Sequence, residues 1–205
     1  SDDHEEKLKQ LGQFILEGSK PGSAAAAVYV THKVLPLNIS GFGKMLSQTV
    51  HACEYFYDQI IQLKSELKEI ANISFPFHPD SNVACLCINP KNNHSLVFAN
   101  EFMSKVYNKI NGDPNAPIQT KEYLVSSTVL ERENSQDKNI TRIFQDLELN
   151  PDHFCQLILN PKEESRYLFI IRHTLMNPWL LSQDENGENS IDRYMTYLKN
   201  VIIQE

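Results

Sequence analysis

Apolar residues recur at three- and four-residue steps along several stretches of this chain and cluster into short runs in others. Residues 5 to 16 carry Leu8, Leu11, Phe14, Ile15 and Leu16 among charges, which predicts a short amphipathic helix stopped at Gly18. From about Pro21 to Val34 the chain is apolar nearly all round, so a buried helix is expected there. It should end at Leu35-Pro36, because proline disfavours helix at the residue before it. From Phe42 to about Ile70 the residues Met45, Val50, Cys53, Phe56, Ile60, Leu63 and Leu67 follow helical spacing. A helix of that length spans about 40 Å, enough to connect two domains. Residues 72 to 80, with Pro76 and Pro79, read as a loop.

After residue 75 the pattern changes. Val83 to Ile88 is a continuous apolar run closed by Asn89-Pro90, as in a buried strand, and Leu96 to Ile110 is a helix ended by Asn111-Gly112-Asp113-Pro114. Tyr123 to Leu130 reads as a second strand, Ile140 to Leu147 as helical, and Asn150-Pro151-Asp152 as the cap of a short helix through Leu159. Arg166 to Leu175 is rich in strand formers, and a last helix is expected from Ser190 to about Ile203. This order predicts a small α+β domain, with a mostly antiparallel sheet and helices on one face.

Composition narrows the classes. With 205 residues, 41% hydrophobic and 22% charged, the chain is that of a globular protein, and no apolar run is long enough for a bilayer span. A formal charge of −7 argues against generic binding to nucleic acid or an anionic membrane. Cys53, Cys85, Cys87 and Cys155 lie in apolar surroundings without metal-ligand spacing, so free thiols in a reducing, cytoplasmic setting are expected, and no metal. The acidic opening Ser1-Asp2-Asp3 suggests a boundary cut from something longer.

Candidate chemistry is sparse. There is no Walker loop, GxGxxG, HExxH or GxSxG. Gly18-Ser19-Lys20-Pro21-Gly22 precedes the alanine run. Ser19 suits a helix cap, and the same helix start suits a phosphate, because unpaired N–H groups and the helix dipole both favour an anion. The pair His32-Lys33 sits in the last turn of a helix, where Lys33 offsets the dipole. Arg172 places a guanidinium in an otherwise apolar strand, where it calls for a partner: an internal carboxylate or a substrate carboxylate. Thr174, two residues on, should share its face.

These residues carry a resemblance. The stretch from Ile15 through Gly18-Ser19-Lys20-Pro21 to Leu35-Pro36-Leu37-Asn38 looks like the segment that follows the cofactor lysine in group II pyridoxal-phosphate-dependent amino-acid decarboxylases. It resembles most the tyrosine decarboxylase branch. Further blocks follow in the family's order: the aromatic helix around Cys53 to Tyr57, Pro79 to Val83, Tyr123 to Thr128, and Ile171 to Pro178 with its arginine and trailing proline.

The resemblance implies the C-terminal portion of a fold type I enzyme. Residues 1–42 would be a remnant of the large, cofactor-binding α/β domain, 43–74 a connecting helix and loop, and 75–205 the small α+β domain. It implies a cytoplasmic homodimer that releases carbon dioxide from an L-amino acid, with an aromatic, tyrosine-like substrate expected. Gly18, Ser19 and Lys20 would face the pyridoxal 5'-phosphate phosphate of the partner protomer. Arg172 would hold the substrate carboxylate, and Thr174 would stand beside it. The family's imine-forming lysine lies before the Gly18 block, so His32-Lys33 is not that pair. No catalytic residue of the family falls in this chain, which alone should be inactive. Two alternatives stand: a pyridoxal-phosphate lyase of the sphingosine-phosphate type, and a non-catalytic α+β dimerisation or ligand-binding module.

Overall fold

The stripe Ala52, Cys53, Phe56, Ile60, Leu63 and Leu67 is buried against a four-stranded antiparallel sheet domain, as its helical spacing requires. The computed structural model describes residues 21–132 and 137–205. The helix expected over residues 5 to 16 lies outside them. The chain divides into two units, Ser1–Met45 and Leu46–Glu205.

In the first unit α1 spans Gly22–Val34, with Pro21 at the N-cap position and no side-chain cap. Ser19, expected as a cap, lies outside the described residues. None of the residues of α1 is buried, contrary to the expectation from its all-round apolar character. Val28, Tyr29, Val30 and Val34 are exposed, and so are Leu37 and Ile39 of the turn that follows. In that turn Gly41 is required sterically: a Cβ there would lie 2.1 Å from the carbonyl oxygen of Pro36.

Helix α2, Phe42–Glu66, runs on into the second unit. There follow β1 (Ala71–Ser74), β2 (Val83–Pro90), α3 (Leu96–Asn111), β3 (Ser126–Glu131), α4 (Asp137–Leu147), β4 (Tyr167–Thr174) and α5 (Ser190–Gln204). The strand order is β1-β2-β4-β3, and every pairing is antiparallel. The small α+β domain with its antiparallel sheet is thus present. Strand β1 falls where a loop was expected: four residues carry too little periodicity to signal a strand, and only pairing with β2, Ile73 opposite Ile88, makes it one. The helix expected after Asn150 is a single 3-10 turn, Pro151–His153. Leu157 and Leu159 beyond it are exposed and so provide no buried face to extend it.

Helices cover both faces of the sheet rather than one. Phe169 meets Tyr107 of α3, and His173 meets Phe56 of α2 and Tyr194 of α5. On the other face Asn72, Ser74 and Asn89 hydrogen-bond to the end of α4 at Leu147 and Asp146. Strand alternation separates the two sets. Ser95 caps α3 by accepting from the Phe98 N–H, and Gly112 ends it at φ +62°, a conformation that disfavours a Cβ.

Candidate functional site

The C-terminal end of β4 carries Arg172, His173 and Thr174, and strand alternation sends them to different environments. Arg172 and Thr174 are exposed on one face, while His173 is buried on the other. The sequence-based view of Arg172 as a buried cation is corrected here. Helix α4 packs over β1 and β2, so the part of this face formed by the end of β4 and the start of β3 is left open. Arg172 stands opposite Cys85 on β2 and Ser126 on β3. Its Nε donates to Ser126 Oγ at 2.9 Å, and that hydroxyl donates back to the Arg172 carbonyl oxygen at 3.2 Å. This anchors the guanidinium through one edge. Among the described residues no carboxylate pairs with it, and a guanidinium exposed in this way can bind a carboxylate in bidentate fashion.

Buried beneath this face, the Cys85 thiol is pushed up by desolvation, with Arg172 opposing the shift. Cys53, likewise buried, is pushed up to about 11. Cys85 and Cys87 share a face as their spacing required, and Cys155 is only partly buried, unlike the other thiols. Among the described residues no group of three His, Cys, Asp or Glu could hold a metal ion.

Beneath Thr174, the His173 imidazole and the Tyr194 hydroxyl form a buried hydrogen bond of 2.6 Å that ties β4 to α5. Burial pushes His173 down to about 4, with the Ala84 backbone opposing, and holds the Tyr194 phenol well above its ordinary range. Around this pair opens a cleft of about 370 Å³, lined by residues that include Phe56, Glu122, Tyr123, Thr174, Asn177 and Leu180. Arg172 is not among its lining residues, so the structure sets Thr174 at a boundary between the open arginine face and the cleft.

Gly18, Ser19 and Lys20 lie outside the described residues. Lys33 extends over the Tyr29 ring, 5.5 Å from its centroid, within α1. Sequence reading missed Ser126 and Tyr194. Both sit in segments recognised as a strand and a helix, but their relation to Arg172 and His173 depends on cross-strand register and helix docking.

The described residues do not fit pyridoxal phosphate by themselves. No lysine lines the cleft beside Thr174, and Arg172 is held for an anion by a single hydroxyl.

No family model matches the chain. Among curated proteins the chain is similar to decarboxylases. The relatives are, more particularly, L-tyrosine decarboxylases. That of Enterococcus faecium is 28% identical over 174 residues, 83% of this chain and 26% of the relative. That of Enterococcus faecalis is 38% identical over 99 residues, 47% of this chain and 16% of the relative. That of Levilactobacillus brevis is 33% identical over 122 residues, 58% of this chain and 19% of the relative. The chain thus spans about a quarter or less of the curated relatives it matches. The likeness to tyrosine decarboxylases read from the sequence holds. Among the described residues no helix is long and apolar enough to cross a membrane.

Proposed function

We propose that this chain is the C-terminal portion of a pyridoxal-phosphate-dependent L-amino-acid decarboxylase, acting on an aromatic, tyrosine-like substrate. Arg172 holds the substrate α-carboxylate and Thr174 flanks it. The observation that carries this reading is the open guanidinium fork, anchored by Ser126 on an exposed sheet face and lacking a carboxylate partner among the described residues. A strand position fixes a binding group better than a loop does, and the Ser126 contact leaves only one orientation of the fork in register. Because the cofactor's lysine comes from elsewhere, this chain alone is inactive. Residues 1–42 belong to a fold type I large domain, and the enzyme is a cytoplasmic homodimer in which Gly18, Ser19 and Lys20 face the cofactor phosphate of the partner protomer.

The test is carbon dioxide release by the intact enzyme containing this chain, with L-tyrosine and other amino acids. Arg172→Ala should lower kcat/KM by about two orders of magnitude, the loss of a bidentate charge-assisted contact worth on the order of 2 to 4 kcal/mol. Arg172→Lys should recover only part, since an ammonium cannot reproduce the fork. Unchanged kinetics in Arg172→Ala would remove Arg172 from the site, and no release from any L-amino acid would overturn the decarboxylase reading itself.

A further inference from the structure

We propose that the cleft at the end of β4 is a binding site for a small organic cation, an ammonium group carried on an apolar or aromatic body. Phe56 and the hydrogen-bonded His173 and Tyr194 are among its lining residues, with Tyr123, Leu124 and Leu180. Tyr123 and Tyr194 meet edge to face with ring centroids 5.0 Å apart, and Tyr123 lies at the same distance from Tyr197. Tyr123 is the partly exposed lining ring of this cluster, and an aromatic ring attracts a cation through its negative face.

The charges point the same way. Glu122 lines the cleft, and its carboxylate adds to desolvation, the larger cause, in raising the Tyr123 and Tyr197 phenols. Among the described residues no cation forms an ion pair with it. The permanent cation of the lining, Arg193, is already committed to Asp184 and reaches Ser190. An entering molecule therefore meets the Glu122 carboxylate beside the partly exposed Tyr123 ring, whereas the Arg193 guanidinium is already paired with Asp184. Thr174, Asn177 and Ser190 add uncharged hydrogen-bonding groups, so the lining combines apolar walls with a few polar ones, as small-molecule sites do. A volume of about 370 Å³ accommodates a single ring with a short side chain. The site takes a cation and excludes Arg172 from its lining, so it stands whether or not Arg172 binds a carboxylate.

Trp179, the only tryptophan of the chain, lies in sequence between the lining residues Asn177 and Leu180 and supplies an emission signal from that segment. The 205-residue chain would be titrated with benzylamine, cationic at neutral pH, and with benzyl alcohol as its neutral counterpart, following Trp179 emission and the amide shifts of residues 122 to 125. Benzylammonium should bind saturably and about fivefold more tightly than the alcohol, the size of one exposed cation contact. Glu122→Gln, an exposed position whose replacement leaves the core intact, should abolish that preference, and Tyr123→Leu should weaken the amine more than the alcohol. Equal affinity for the two probes, an undiminished preference in Glu122→Gln, or a response that never saturates would each overturn the proposal.

Discussion

Acidification from pH 8 to pH 5 should destabilise the second unit through His173. The imidazole is buried, has an ordinary value of 6.5, and is pushed down to about 4 in the fold. Between those values the unfolded chain binds a proton that the native state refuses, so stability rises with pH. The contribution of the neutral imidazole is complete above about 6.5 and is lost as the pH falls toward 4. The shift corresponds to on the order of 3 kcal/mol in full and about 2 kcal/mol by pH 5. The assay is urea unfolding of wild type and His173→Gln at a series of pH values. Glutamine retains an amide able to meet Tyr194 but does not titrate. Histidines common to both proteins contribute equally, so the difference between the two pH slopes belongs to His173. Parallel slopes from pH 8 to 5 would refute the reasoning. If the variant fails to fold, an NMR titration of wild type serves instead: a His173 that titrates near 6.5 in the native protein is equally fatal.

Other expectations follow from the same geometry. Asn89 is fully buried and donates at 2.8 Å to both the Asn93 and Leu147 carbonyls, so Asn89→Ala removes both bonds, leaving Leu147 only its longer contact with Asn72, and should cost about 1 to 3 kcal/mol in urea unfolding, whereas a cost under a few tenths would deny it that role. With a thiol reagent at neutral pH, Cys155 should be the only cysteine to react in the native chain, slowly because its thiol is pushed up, mainly by burial and then by Glu164 and Asp152. All four should react after denaturation. Fast labelling of Cys53, Cys85 or Cys87 in the native state would contradict their burial.

Much of the second unit was legible in the chain, because its signals are local. The stripe on α2, the apolar run of β2 and the Asn111-Gly112 end of α3 each state their element within a few residues. The likeness to tyrosine decarboxylases was legible for the same reason: it rests on contiguous blocks. Two readings failed where locality ends. Arg172 looks buried because its sequence neighbours are apolar, yet strand alternation and the placement of α4 over β1 and β2 leave it open. Helix α1 looks buried because it is apolar all round, yet burial needs a packing partner, and none of its residues is buried.

Sequence alone determined most of the helices and strands, though not β1, and which side chains alternate along β4. Tertiary structure decided what those side chains meet: the register that sets Ser126 beside Arg172, the helix docking that brings Tyr194 to His173, and the cleft at whose edge Thr174 stands. The reason is one of range. Periodicity and capping act within a turn or two of the chain, whereas register and docking join residues 46 apart at Arg172 and Ser126 and 21 apart at His173 and Tyr194, through burial shared by the whole sheet.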